Sequence, residues 1–519
     1  MFRKIALLHL GCLVFVLLLT SASWANRQFG PPEKYTSGGW NAQAVAIADL
    51  NLDGKVDLVV ANTCIGVACN GTVEGQIGVL LGNGDGTFQS RHVYGTGGAA
   101  ATSIVIADVN GDGKPDLVVA NLCFSQCDIG GVAILLGNGD GTFQPAVAYS
   151  SAGYHASSAF AADVNGDGRL DLLVTNVCST GTNCGEMTGG PMGDVAVLMG
   201  NGDGTFQPAI AYSSGGGLAL SVTPGDMNGD GKADLIIAHL CLDSSTCQYG
   251  AIAVLLGNGD GTFQPPIVNN SVEMLFGGLA VADVNGDGKL DVLAGQYWEV
   301  AVLLGNGDGT FQATQNYSTG GEEAQSIAVA DVNGDGKLDL AAASMCERRS
   351  GPPWCVHGSV GVLLGNGDGT FGAPGIRSSY GDDATAVALS DLNHDTRPDL
   401  VVVSECANGS HCREEGSAVV FLNSSRFRTT TDLGSNLNPS GYGQAVTFTA
   451  TVTSAGPTPT GRVAFKDGTK TIKTVALTGG TASLTMLNLA VGTHSITAEY
   501  GGDAANNKST SSVLNQVVQ

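Results

Sequence analysis

One nine-residue motif recurs seven times in the chain: Asp-x-Asn-x-Asp-x-x-x-Asp. Its copies begin at Asp49, Asp108, Asp163, Asp226, Asp283, Asp331 and Asp391, at intervals of 48 to 63 residues. A second motif, Gly-Asn-Gly-Asp-Gly-Thr-Phe, follows six of them and ends at Phe88, Phe143, Phe206, Phe263, Phe311 and Phe371. After the seventh it has decayed to Leu422-Asn423-Ser424-Ser425-Arg426-Phe427. Self-similarity at such a period means one supersecondary unit that buries its apolar face against its neighbours.

Each repeat reads as four short strands. In the second, residues 103–107 alternate into the acidic loop and residues 116–120 leave it as a Val-rich run. Residues 132–136 follow, then Asn138-Gly139-Asp140-Gly141 as a tight turn, then residues 143–149. Asn-Gly and Asp-Gly between apolar runs are hairpin signals. No stretch beyond the N-terminal segment sustains a helical period. The expected fold is all-β: a seven-bladed β-propeller of four-stranded blades over residues 26–427. Residues 29–35 match the fourth strand of other repeats, and the seventh repeat lacks a clear one. The N-terminal segment is therefore expected to complete the last blade and remove the open edges.

The acidic loop carries a chemical requirement. Hard cations such as calcium take six to eight oxygens from carboxylates, amides and backbone carbonyls. Residues at positions 1, 3 and 5 converge when the chain curls round an ion, and position 9 closes the site. The candidate ligands are Asp49, Asn51, Asp53 and Asp57; Asp108, Asn110, Asp112 and Asp116; Asp163, Asn165, Asp167 and Asp171; Asp226, Asn228, Asp230 and Asp234; Asp283, Asn285, Asp287 and Asp291; Asp331, Asn333, Asp335 and Asp339; and Asp391, Asn393, Asp395 and Asp399. Three carboxylates so close repel one another unless a cation sits between them. The loops are not EF-hands: strands flank them, and position 12 is apolar, as at Val60 and Val119. The plainer alternative is that Asp, Asn and Gly are turn formers. Loops one and seven depart from the pattern, with Leu52 at position 4 and Thr396 at position 6 where Gly is expected.

Asp-Val-Asn-Gly-Asp-Gly-Lys-x-Asp followed by Leu-Leu-Gly-Asn-Gly-Asp-Gly-Thr-Phe resembles the FG-GAP/VCBS repeats of integrin alpha chains and of integrin-like fungal lectins. The resemblance spans about residues 29–427. It implies a seven-bladed propeller with calcium in the loop joining the first two strands of each blade.

Residues 1–25 read as a secretory signal: Arg3 and Lys4, an apolar run from Ile5 to Thr20, and the small-residue site Ser23-Trp24-Ala25. The run is short for a membrane span, and no second one follows, so no transmembrane segment is expected in the mature chain. The chain is expected to be secreted or cell-surface. Twelve cysteines then form six close pairs: Cys64/Cys69, Cys123/Cys127, Cys178/Cys184, Cys241/Cys247, Cys346/Cys355 and Cys406/Cys412. An even count in an exported chain points to local disulfides. The formal net charge is −24, with 23 Lys+Arg against 47 Asp+Glu. Such a chain is a poor partner for nucleic acid, whose phosphates need Lys and Arg.

Up-and-down blades place the acidic loops and the Asn-Gly-Asp-Gly turns on one face and the cysteine loops on the other. The fifth repeat has no cysteine pair and turns through Gly295-Gln296-Tyr297-Trp298-Glu299. The cysteine face is the more variable one, and Trp40, Tyr154, His155, Tyr297, Trp298 and Trp354 are its candidate ligand contacts. The alternative is that these rings fill gaps between blades.

After Phe427 the acidic loops and cysteines stop, and Thr and Ser rise. Residues 445–454, 461–466, 471–477, 481–487, 494–500 and 511–518 read as strands of an Ig-like β-sandwich over residues 428–519. Tyr442-Gly443-Gln444-Ala445-Val446-Thr447-Phe448 and Thr497-Ala498-Glu499-Tyr500-Gly501-Gly502-Asp503 resemble bacterial Ig-like repeat domains. No Gly-x-Ser-x-Gly elbow, His-Glu-x-x-His or recurring histidine cluster is present. His239 and His411 read as local structure. The expected function is a calcium-stabilised binding or adhesion protein for an extracellular glycan or protein, without catalytic residues. The alternatives are a polysaccharide-active enzyme and a structural spacer.

Overall fold

The computed structural model describes residues 28–64, 74–123, 129–179, 192–242, 249–347, 357–407, 415–424, 426–454 and 456–519. The expected signal segment, Trp354 and His411 lie outside them. So does the second cysteine of every expected pair: Cys69, Cys127, Cys184, Cys247, Cys355 and Cys412. Among the described residues every element is a β-strand, and all pairs of these strands are antiparallel. Among the described residues no helix is long and apolar enough to cross a membrane. The chain falls into two compact units, Met1–Ala330 with Leu338–Asn423, and Ser424–Gln519 with the segment Asp331–Lys337.

The first unit repeats one ladder. The strand that begins at the ninth loop residue, such as Asp116–Cys123, lies between the strand before the loop and the next strand, Gly131–Leu135. It is covered on both faces, so it reads as a continuous apolar run, Leu117 to Ala120, with no exposed residue. Equivalent runs start at Asp57, Asp171, Asp234, Asp291, Asp339 and Asp399.

The strands differ from the sequence expectation in two respects. The expected fourth strand from Phe143 is shorter, Val147–Ser150, and Phe143 makes only an isolated bridge to Gly137. Pro145 explains the gap, because it brings no N–H to a ladder. In two places the fourth strand of one repeat runs unbroken into the first strand of the next, giving the 16-residue strands His92–Ala107 and Ile210–Gly225. Among the described residues the first unit therefore holds two seven-stranded and three four-stranded sheets. In one of the latter, Phe29–Thr36 pairs with Ser417–Asn423 beside Asp399–Cys406 and Asp382–Ser390. The N-terminal strand thus takes the fourth place in the last repeat. Arg377 fastens it there: its guanidinium donates to the Phe29 and Gly30 carbonyls and lies 5.8 Å from the Phe29 ring centroid.

Rings join consecutive repeats. The fourth-strand tyrosine of one repeat meets the hairpin phenylalanine of the next edge-on, as in Tyr94–Phe143 at 5.5 Å and Tyr149–Phe206 at 5.6 Å. A buried polar layer adds a second link that the sequence reading missed. Ser37, Thr96 and Ser151 each donate to an amide oxygen 25 residues on, Asn62, Asn121 and Asn176, at 2.5, 2.6 and 2.5 Å. The constant spacing was the available signal. In the fourth repeat His239 takes the Asn place. It is fully buried, and desolvation pulls its pKa down to about 4, which keeps it neutral.

In the second unit, Thr429–Ser435, Val446–Ser454 and Thr481–Met486 form one sheet. Lys470–Ala476, Arg462–Asp467, Gly492–Tyr500, Ser509–Thr510 and Leu514–Val518 form the other. Alternate residues Val446, Phe448, Ala450 and Val452 face a core with Val463, Phe465, Ile496 and Tyr500. The strand Thr429–Ser435 was not foreseen. Phe427, read as a remnant of the seventh hairpin, exchanges backbone bonds with Ala505 and Asn507 and belongs to this unit.

Asp194 extends the polar layer. It is 4% exposed and accepts one bond, from Asn176 Nδ2 at 2.6 Å. Burial raises its pKa from 3.8 to about 6. A raised carboxyl pKa means that the folded state holds its proton more tightly than the unfolded one. The stabilisation is complete below about pH 4 and is lost as pH rises through 6, up to about 3 kcal/mol. Asp194→Asn should therefore raise the melting temperature of the first unit at pH 7.5 and leave it unchanged at pH 3.5. Calorimetry at the two pH values checks this.

Candidate functional site

Each acidic loop curls on its own backbone N–H groups. In loop two, Asp108 Oδ1 accepts from Gly111 and Asp112, and Oδ2 accepts from Gly113, at 2.8–3.1 Å. Asn110 Oδ1 accepts from Asp112, and Asp112 Oδ1 accepts from Lys114. Loops three, four and five repeat these bonds.

Position 9 has a task that the sequence does not show. Asp116 is fully buried. Its Oδ2 accepts from Val109 of the loop at 3.0 Å, and its Oδ1 accepts from Gly137 at 2.7 Å. Gly137 is the first residue of the second motif, so this carboxylate ties the two motifs together. Asp57, Asp171, Asp234 and Asp291 make the same pair of bonds. Asp339 accepts from Gly365 in the same way. Only Gly serves at position 137, because a Cβ there would stand 2.1 Å from the Pro115 carbonyl oxygen. The hairpin then closes through Thr142, whose N–H and hydroxyl both donate to Asp140 Oδ1. Gly141, at φ 81°, leaves room for Leu81 of the preceding repeat.

Burial raises the Asp116 pKa first of all, and the Asp112 and Asp108 carboxylates add to it. Asp57, Asp171, Asp234, Asp291 and Asp399 are raised for the same reasons, Asp399 to about 7. The three carboxylates of a loop thus act on one another. Among the described residues no group of three or more His, Cys, Asp or Glu side chains is close enough to hold a metal ion. The donor set still suits a hard cation in kind, with carboxylate and amide oxygens and a mutual repulsion that a cation would relieve.

The position-7 side chain lies along the hairpin. A Cβ on Gly139 would stand 2.9 Å from Lys114 Cδ, and Lys55, Arg169, Lys232 and Lys289 cover Gly84, Gly202, Gly259 and Gly307 likewise. Lys55, Lys114 and Lys232 then reach the position-5 carboxylates at 3.2, 3.3 and 3.5 Å. Loops one and seven hold non-glycine residues in the left-handed region, Leu52 at φ 58°, His394 at 61° and Thr396 at 70°.

The described candidate ligand aromatics are spread over different repeats. Tyr297 and Trp298 touch, with ring centroids 4.6 Å apart, and Phe276 meets Tyr297 at 5.7 Å. Tyr154 packs on Cys178, Leu218 and Cys241. Trp40 and Tyr154 stand opposite Cys64 and Cys178 in their ladders. His155 is held at φ 56°.

The cysteines are placed only at one end of each expected bond. Cys64, Cys123, Cys178, Cys241, Cys346 and Cys406 are all buried, each seven residues after the ninth loop position. Their expected partners, Cys69, Cys127, Cys184, Cys247, Cys355 and Cys412 respectively, fall outside the described residues. The described strands therefore hold six first cysteines at one repeated position, and the pairing itself is not part of the described structure.

Sequence reasoning named a central mouth as a concave site but missed the grooves beside the fourth strands. One groove of ≈ 470 Å³ is lined by Tyr35, Leu80, Gln89, Arg91 and Val93. Another of ≈ 330 Å³ is lined by Tyr149, Leu198, Phe206, Gln207 and Pro208. The two occupy equivalent places beside a Tyr–Phe pair. A cavity of ≈ 420 Å³ is lined from all seven repeats, by Gln43, Thr102, Ser157, Leu220, Phe276, Gln325 and Thr385 among others. Three of its hydroxyls are spent on neighbouring carbonyls: Thr102 on Ala156, Ser157 on Ala219 and Thr385 on Ala42.

Comparison with known proteins matches FG-GAP-like repeats to residues 65–119, 121–174, 187–237, 241–294 and 283–342, just over half of the chain. A bacterial Ig-like domain of group 3 matches residues 433–519. No curated protein sequence matches the chain. Among solved structures, the chain is similar to a lectin of Agrocybe aegerita described as recognising non-reducing terminal N-acetylglucosamine. The identity is 22%, the TM-score 0.43, and the match covers 74% of this chain and 86% of the lectin. It is also similar to the extracellular domain of a putative one-component system of B. thetaiotaomicron, with 10% identity and a TM-score of 0.39, over 96% of this chain and 57% of that one.

The position-9 link sets a test. Asp116→Ala strands the amides of Val109 and Gly137 and should lower the stability of the first unit by about 2–4 kcal/mol. Asp112→Asn, in an exposed position, should cost under about 1 kcal/mol in cation-free buffer. Chemical denaturation of the two variants in chelator ranks them.

Proposed function

The chain belongs to the FG-GAP-like repeat family, and from that premise we propose that it is a secreted or cell-surface binding protein stabilised by calcium. Its first unit is a closed seven-bladed propeller, each blade built of four strands. The pairing of Phe29–Thr36 with the last repeat and the Thr385–Ala42 bond support closure. Its second unit is a β-sandwich. Calcium sits in the acidic loops, held by the oxygens of positions 1, 3 and 5 with position 9 behind them. There it neutralises carboxylates that otherwise repel one another. Its role is structural. The six cysteine pairs form local disulfides that staple the loops after the second strands. The regular burial of the first cysteine of each pair supports this.

The reading as a binding protein, rather than an enzyme, rests on one observation. Two equivalent ring-sided grooves lie beside fourth-strand tyrosines, at Tyr35–Gln89 and Tyr149–Gln207. Repetition of one shallow site suits multivalent capture of a repetitive extracellular glycan or protein, where avidity replaces depth. Aromatic flanks with an amide at the lip suit the faces and hydroxyls of sugars.

The oxidised full chain should bind members of a glycan array or a panel of extracellular proteins in calcium. Gln89→Ala combined with Gln207→Ala should weaken that binding about tenfold or more while the melting temperature holds. Blank arrays with a folded protein would reject the reading. Separately, 1 mM calcium should raise the melting temperature by at least about 5 °C, and chelator should reverse it.

A further inference from the structure

The seven loops carry a basic residue at position 7, and in the seventh it does something different. Arg169 in loop three shows the usual arrangement, since its stem lies over Gly202 of the hairpin. The seventh repeat lacks the Gly-Asn-Gly-Asp-Gly sequence of that hairpin. Asn423 stands where the others have Gly, and its N–H and side chain bond Asp399 Oδ1 and the Pro398 carbonyl. Arg397 turns back onto its own loop. Its Nε and Nη2 both donate to Asp395 Oδ2, at 3.2 and 2.5 Å. Its own N–H donates to Asp395 Oδ1.

This contact is not the lysine contact of the other loops. The side chains of Lys55, Lys114 and Lys232 are 41, 40 and 44% exposed, and each makes a single ion pair. Such pairs are screened by water and yield to a competing cation at little cost. The Arg397 side chain is 12% exposed. A guanidinium holding a carboxylate by two N–H groups, with little water access, is far harder to displace. It also brings a positive charge to the oxygen that a bound ion would need. His394 and Thr396 hold the left-handed conformations that most other loops give to Gly, so the loop keeps the common shape while Arg397 holds its position-5 carboxylate. The Thr396 hydroxyl turns onto the Asp395 carbonyl at 2.6 Å.

We propose that Arg397 takes the place of the divalent cation in the seventh loop, so that the chain carries seven acidic loops and only six cation sites. The inference rests on the calcium reading above. The seventh loop then stays ordered when the cation is withdrawn, and the last repeat, which receives the N-terminal strand, keeps its loop in calcium-poor surroundings.

The test counts calcium on the oxidised full chain by equilibrium dialysis against radioactive calcium. Six per chain is expected. Arg397→Ala should raise the count to seven. Asp395→Asn should leave it at six while lowering the melting temperature in chelator, and Asp112→Asn in loop two should lower it to five. Asp395→Asn covers the case in which Arg397→Ala does not fold. Seven ions on the natural chain, or the loss of one with Asp395→Asn, would overturn the inference and leave the calcium reading standing. No calcium bound at all would overturn the calcium reading and this inference with it.

Discussion

A buried carboxylate that accepts one amide from its own loop and one from a hairpin further along the chain holds the first unit together. Asp116 is the example, with Val109 on one oxygen and Gly137 on the other. An amide left unpaired in such a place costs about 1–3 kcal/mol, and a charged acceptor is stronger than a neutral one. Each repeat therefore has a strong reason to keep loop and hairpin together. The loop sets the angle between the first and second strands. The hairpin sets where the third strand ends and where Phe143 meets Tyr94 of the preceding repeat. Remove the carboxylate and both positions lose their reference.

The sequence was most legible where the role of a residue and its local spacing coincide. Strands on either side of Asp108–Asp116, the Asn138–Gly141 turn and the fourth-strand role of residues 29–36 all follow from short patterns and recur in the structure. The ninth position was harder. Its partner glycine lies 25 residues away at Asp57 but 14 away at Asp291 and 29 away at Asp171, because the cysteine loops differ in length. No fixed period marks the pair, so the link to the glycine does not show in the sequence. The Ser37–Asn62 layer shows the opposite failure. Its spacing is constant at 25 residues, but Ser, Thr and Asn are common enough to pass as turn residues. The fusion of strands through Gly97 and Gly98 was illegible because glycine there looks like a break, while the strand continues across it.

The aromatic candidates illustrate how packing competes with display. Tyr154 faces inward onto Cys178 and Leu218, and Tyr297 spends its ring on Phe276 and Trp298. Meanwhile the tyrosines of the fourth strands, which the sequence presents as ordinary strand residues, border the grooves between repeats. Each of those grooves flanks a Tyr–Phe contact, so concavity accompanies the same packing that joins the repeats. The seventh repeat departs from the rest for a related reason. Without that hairpin sequence, Asn423 supplies the amide that Gly supplies elsewhere, and the basic residue of its loop turns back onto Asp395.

Amide hydrogen exchange on the full chain measures the central link directly. The account predicts that the amides of Gly82, Gly137, Gly200, Gly257, Gly305 and Gly365 rank among the slowest in the first unit. It also predicts that Asp116→Asn speeds exchange at Val109 and Gly137 while leaving Gly82 and Gly257 slow. Fast exchange at these glycines in the natural chain, or a uniform loss of protection across all repeats in Asp116→Asn, would contradict it.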